Sequence, residues 1–96
     1  MPLCNLSLQI IPLVPEEKVY PTVDRVIELI SSSNVKYTVG PMETTMEGEL
    51  DQLLEIVKKA QAVCEKAGAK RVLSVVKIDY GTGGVTIDEK VGKYKE

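Results

Sequence analysis

The hydrophobic period of this sequence switches between two residues and about 3.6 in a definite order. That order limits the fold more than any other feature. Residues 3–11 alternate: Cys4, Leu6, Leu8 and Ile10 fall on one side, Asn5, Ser7, Gln9 and Ile11 on the other. This predicts a strand with one apolar face, closed by Pro12 and Pro15. In residues 16–33, Val19, Val23, Val26, Ile27 and Ile30 recur at helical spacing. Pro21 belongs in the first turn of that helix, where its missing N–H is no loss. The run Ser31-Ser32-Ser33-Asn34 ends it by offering the backbone competing hydrogen bonds. Residues 35–39 and 42–47 predict two short strands joined at Gly40-Pro41, with Gly48 breaking the second. The longest helix is expected over 49–67, on a stripe of Leu50, Leu53, Leu54, Val57, Ala60, Cys64 and Ala67. Its first turn carries Glu49 and Asp51, which suit the helix dipole, and Gly68 follows as a left-handed terminator. Residues 70–80 predict the last long strand. A Gly81-Thr82-Gly83-Gly84 loop then leads to Thr86-Ile87-Asp88-Glu89, a capping box that starts a short final helix.

The order is β-α-β-β-α-β plus a terminal helix, in one domain spanning 1–96. The split β-α-β arrangement implies an α+β, ferredoxin-like sandwich, with a four-stranded antiparallel sheet carrying two helices on one face. The stretch Val72-Leu73-Ser74-Val75-Val76-Lys77-Ile78 is apolar on both faces. A strand with one wet face should alternate more cleanly. No element is left over to cover the second face, so a second copy is expected there, in a homo-oligomer whose open sheet faces pack about a two-fold axis.

Composition removes several classes of function. The chain has no His, so there is no imidazole base, no Ser-His-Asp triad and no His metal ligand. Phe and Trp are absent as well, and the net charge is −2, which argues against nucleic acid as a partner. Cys4 and Cys64 form no Cys-x-x-Cys motif and read as buried apolar residues in a reducing compartment. Residues 3–14 lack the charged lead-in of a signal peptide, and no stretch is long and apolar enough for a membrane span, so a cytoplasmic location is expected. Gly81-x-Gly83-Gly84 lacks the remaining residues of a phosphate loop. No nucleophile–base pair is visible, and no metal or cofactor is expected.

The densest polar cluster is Glu43-Thr44-Thr45-Met46-Glu47-Gly48-Glu49. It reads either as a solvated strand end or as part of a small-ligand pocket, with Thr44 and Thr45 as hydroxyl donors and acceptors and Glu47 as a charged acceptor. Ser7 and Gln9 share the sheet face opposite the helices. If that face is buried, they need partners from water, another chain or a polar ligand. Tyr37 either packs against its neighbours or stacks on a planar ring.

Tyr37-Thr38-Val39-Gly40-Pro41, Thr44-Thr45-Met46-Glu47-Gly48-Glu49, Ile78-Asp79-Tyr80 and the run from Gly83 to Tyr94 together resemble the small thiamine-binding domain family, also called YkoF-like or domain of unknown function 77. The resemblance covers essentially the whole chain, and its most specific part is Thr-Thr-x-Glu-Gly-Glu. It implies a ferredoxin-like fold, dimers that stack sheets and often tetramers, and non-catalytic binding of thiamine or its hydroxymethylpyrimidine part. Thr44, Thr45 and Glu47 match the family stretch; Tyr37 and Ser7 match less firmly. Hydroxyls and a carboxylate suit an aminopyrimidine, and the acidic stretch over 43–55 would favour the cationic vitamin over its diphosphate. The expected role is transport, storage or salvage. The alternative is a structural or regulatory homo-oligomer with a vestigial site, and an enzyme is the weakest reading.

Overall fold

The computed structural model describes residues 2–94. Ten alternating residues form β1 (Leu3–Pro12). A short 3-10 turn (Glu16–Lys18) feeds α1 (Val19–Ser31), and Pro21 is the third residue of that helix, inside its first turn. The hairpin strands are β2 (Lys36–Val39) and β3 (Thr44–Glu49). They are followed by α2 (Leu50–Lys66), β4 (Val72–Tyr80) and α3 (Ile87–Val91). The strands form one antiparallel sheet in the order β2-β3-β1-β4, as a ferredoxin-like split β-α-β requires.

Helices α1 and α2 pack together over one face of that sheet. Cys4, Leu6 and Leu8 of β1 and Met46 of β3 meet Val26 and Ile30 of α1 and Leu53, Ile56, Ala60 and Cys64 of α2. These side chains are essentially removed from water and form the hydrophobic core. Burial pushes the Cys64 thiol above its ordinary pKa of 9.0. It does the same for Cys4, with a smaller contribution from the charge of Asp79. Both therefore stay neutral thiols at physiological pH.

Gly48 does not break β3. It lies within the strand opposite Cys4, and β3 runs on to Glu49. A Cβ at Gly48 would come 3.3 Å from the side chains of Gln52 and Leu53. The glycine thus admits the first turn of α2 close to the sheet. Gly68 does end α2 as expected: its φ of +103° is left-handed, and the Ala69 N–H returns to the Cys64 carbonyl at 3.0 Å.

The second sheet face is partly covered from within the chain, contrary to the expectation that nothing remained to cover it. Thr86 caps α3 by accepting from the Glu89 N–H at 3.1 Å. The Val85 N–H donates to the Leu3 carbonyl at 3.0 Å, which turns α3 back across the end of the sheet that holds Asn5 and Glu47. The opposite end, with Leu73 and Val75, stays exposed.

Candidate functional site

Residues directly opposite one another in an antiparallel sheet share a face, so the register sorts the candidate residues. Thr38, Thr45, Ser7 and Lys77 form one row across all four strands, and Lys36, Glu47, Asn5 and Asp79 form the next. Both rows lie on the face away from α1 and α2. Val39, Thr44, Leu8 and Val76 form a row on the helix-packed face.

The two open-face rows and α3 enclose a cavity of about 360 Å³. That lies within the usual range of small-molecule sites, about 300–1,000 Å³. Its floor includes Asn5, Ser7, Thr38, Thr45, Lys77 and Asp79, and Ile87, Lys90 and Val91 line it from α3. Ser7 Oγ and Thr45 Oγ1 are 2.8 Å apart, and either hydroxyl can donate. Each still has hydrogen-bonding capacity to offer a ligand.

Asn5 is buried, and both the nitrogen and the oxygen of its amide have a partner. Its Nδ2 donates to the Val85 carbonyl at 3.4 Å, and its Oδ1 accepts from Lys90 Nζ at 2.8 Å. Lys90 Nζ also lies 2.6 Å from Asp79 Oδ2, so one ammonium ties α3 to both β1 and β4. Glu47 Oε1 accepts from the Ile87 N–H at 2.7 Å, placing a carboxylate on the first turn of α3. On the outer strand, Lys36 Nζ sits 2.6 Å from Asp88 Oδ2. The hydrogen bond to Asp88 holds the Lys36 ammonium above its usual pKa.

The structure therefore brings together only some of the residues singled out from the sequence. Ser7 and Thr45 are in direct contact on the cavity floor. Glu47 shares their face but seats α3 rather than lining the cavity. Gln9 has open-face parity, opposite Val75, yet lies outside the cavity lining. Thr44 is not on the open face: it pairs with Leu8 and is buried toward the helices. Tyr37 pairs with Met46, which also assigns it to the helix side, at the outer strand. Gln9 and Thr44 line a different groove of about 260 Å³ between α1 and the hairpin, together with Val23, Ile27, Pro41 and Met42. Adjacent strand residues point to opposite faces, so Thr44 and Thr45 cannot both serve one site on the open face.

The acidic stretch is dispersed in the same way. The charged groups lining the cavity are Lys77, Lys90 and Asp79, while Glu43 is paired with Lys77 at 3.1 Å. The charge argument against a diphosphate thus loses its basis. Asn5, Thr38, Lys77 and Lys90 line the cavity but were not singled out from the sequence. The parity of Ser7 in β1 pointed to Asn5, but Thr38 and Lys77 depend on the registers of the other strands and Lys90 on where α3 lands. Among the described residues, no group of three or more His, Cys, Asp or Glu could hold a metal ion, and no helix is long and apolar enough to cross a membrane.

A family profile described as "Thiamine-binding protein" matches residues 6–95. The chain belongs to the thiamine-binding protein family. Within that family, it is 63% identical to a UPF0045 protein of Clostridium perfringens over 95 residues, which is 99% of this chain and 100% of the relative. Among solved structures, it resembles a domain of unknown function 77 from Bacillus cereus, with a TM-score of 0.93 and 48% identity. That match covers 99% of this chain and 92% of the other. A candidate thiamine biosynthesis/salvage protein from Thermotoga maritima superposes with a TM-score of 0.92 at 41% identity, covering 98% of this chain and 100% of that one.

Proposed function

We propose that this protein binds thiamine or its hydroxymethylpyrimidine moiety, without catalysis, in the cavity between the open sheet face and α3. The role would be transport, storage or salvage in the cytoplasm. The observation that carries this reading is the meeting of Ser7 and Thr45 hydroxyls with an apolar wall from Ile87 and Val91 in one cavity. The hydroxyls suit the donor and acceptors of an aminopyrimidine edge, and the wall suits its ring faces. Family membership and the Thermotoga maritima relative support the same ligand class. Ser7 and Thr45 are the proposed ligand contacts. Glu47 acts through α3, as a positioning residue.

Isothermal titration calorimetry and thermal shift with thiamine, hydroxymethylpyrimidine and thiamine diphosphate test this reading. Ligand at about 100 times its Kd should add roughly 2.7 kcal/mol to stability. A Ser7→Ala/Thr45→Val double variant should lose that gain while remaining folded. Absence of binding by all three compounds would overturn the reading. It would favour a structural or regulatory homo-oligomer with a vestigial site. The exposed, apolar Leu73 and Val75 at the uncovered end of the open face favour self-association in either case, with open faces packed together as a dimer or tetramer.

A further inference from the structure

The cavity has one wall that is not part of the sheet. Helix α3 supplies it through Ile87, Lys90 and Val91. That helix has five residues, and of these only Ile87 is buried. The 3-10 turn that follows it (Gly92–Tyr94) buries no residue. A helix this short is not stable by itself. Its position is therefore set by its few attachments to the sheet.

Those attachments are unequal along its length. Val85, two residues before α3, is firmly fixed. Its N–H donates to the Leu3 carbonyl at 3.0 Å, its carbonyl accepts from Asn5 Nδ2 at 3.4 Å, and its side chain packs against the core. Thr86, in extended backbone, links that fixed point to the helix. At the near end of α3, the Ile87 N–H donates to Glu47 at 2.7 Å. On the flank, Asp88 meets Lys36, but both side chains are largely in water, where an ion pair contributes little. The far end is held by Lys90. Its ammonium donates to Asn5 Oδ1 at 2.8 Å and meets Asp79 Oδ2 at 2.6 Å. Asn5 is buried, so without Lys90 its Oδ1 would lose its partner within the chain. One amide thus joins the fixed point at Val85 to the far end of α3. Val91, the next residue, is only half-buried and gives no comparable hold.

We propose that α3 is a lid that turns about Val85 and Thr86, and that Lys90 is the latch that holds it shut. The inference rests on this cavity being the ligand site. A ligand that fills the cavity of about 360 Å³ lies between the sheet and α3, so it enters and leaves while the lid is open. Opening exposes Ile87 and parts the Lys90 ammonium from Asn5 and Asp79. Water can satisfy all three polar groups once they separate, so the open state leaves no polar group unpaired. A latch made of hydrogen bonds therefore releases more readily than an apolar contact of the same size. Lys90 is a positioning residue: it acts on the ligand through α3.

Such a latch has a kinetic signature. Association and dissociation both wait on opening. A change in the open fraction multiplies kon and koff by the same factor while the open state stays the minor one. A ligand contact made by Lys90 would raise koff alone. A purely structural role would not raise kon.

Stopped-flow mixing with thiamine and with hydroxymethylpyrimidine, together with hydrogen exchange of the ligand-free protein, tests the latch. In Lys90→Met, loss of a charged hydrogen bond should raise kon and koff together, by about ten- to a hundred-fold. Exchange at the Ile87 amide should quicken by a similar factor, with the Leu6 and Leu53 amides unchanged. Lys90→Arg keeps the charge and the donors and should restore slow exchange. A folded Lys90→Met variant with wild-type exchange at Ile87 would overturn the proposal, and so would a rise in koff alone. If that variant does not fold, Asp79→Asn removes the charge from the more exposed side of the latch, and the same outcomes decide. Hydrogen exchange needs no ligand. Faster exchange at Ile87 in a chain that binds neither compound would sink the ligand reading and leave the latch standing.

Discussion

The two faces of the sheet are built from the same four strands, yet their residues do different work. On the helix-packed face, Cys4, Leu6, Leu8 and Met46 are buried against apolar side chains. On the open face, Asn5, Ser7, Thr45 and Glu47 alternate with them and are held by hydrogen bonds and by α3. One face contributes stability through area removed from water, and the other contributes placement of polar groups. Because strand side chains alternate, even- and odd-numbered positions of β1 can be altered almost independently.

The helix-packed face is most sensitive at Leu6, which is fully buried. Leu6→Ala should cost about 2–5 kcal/mol in urea unfolding, through lost transfer energy and the cavity left behind. Its folded fraction should still bind ligand at close to wild-type affinity. A Glu47→Ala variant should have a smaller, local effect of about 1–3 kcal/mol, because the Ile87 N–H loses a charged acceptor. Faster hydrogen exchange at the Ile87 amide, with the β1 and α2 amides unchanged, would show that the open face is loosened alone.

A pH test separates the faces differently. The thiols of Cys4 and Cys64 titrate above 9.0 in the fold because burial disfavours the thiolate. A raised folded pKa gives a contribution fully present below the unfolded thiol's pKa and lost as pH rises through the folded value. Stability should therefore fall above about pH 9, and Cys64→Ala should flatten that fall. The smallest effect is expected for Ser7→Ala/Thr45→Val: removing both partners of one hydrogen bond should change stability by less than about 1 kcal/mol. A large loss there would mean that the open face carries structural load as well.

Much of the fold was legible because periodicity is a local property. The alternation in β1 marked its buried face correctly, and the stripe in α2 marked the helix and most of its buried side, but Leu54 of that stripe is exposed and Ile56, outside it, is in the core. Gly48 misled because a strand glycine resembles a breaker in sequence, whereas here it makes room for Gln52 and Leu53. The site was legible only in part. Ser7 and Thr45 were singled out and lie in contact, but Thr44 was grouped with Thr45 by proximity in sequence, and Tyr37 was added as a ring able to stack. Neighbours along a strand point to opposite faces, and the register that sorts them depends on where the hairpin turns. Thr38 and Lys77 became visible only as members of a four-strand row.

The amino-acid sequence by itself determined the order of elements, most of the core and the family, because these rest on period, side-chain type and local motifs. Tertiary structure alone decided which polar residues share a cavity. That choice depends on strand register and on α3 folding back through Val85, Glu47 and Lys90. These contacts join residues 40 and 85 positions apart in the chain, beyond the reach of any local pattern.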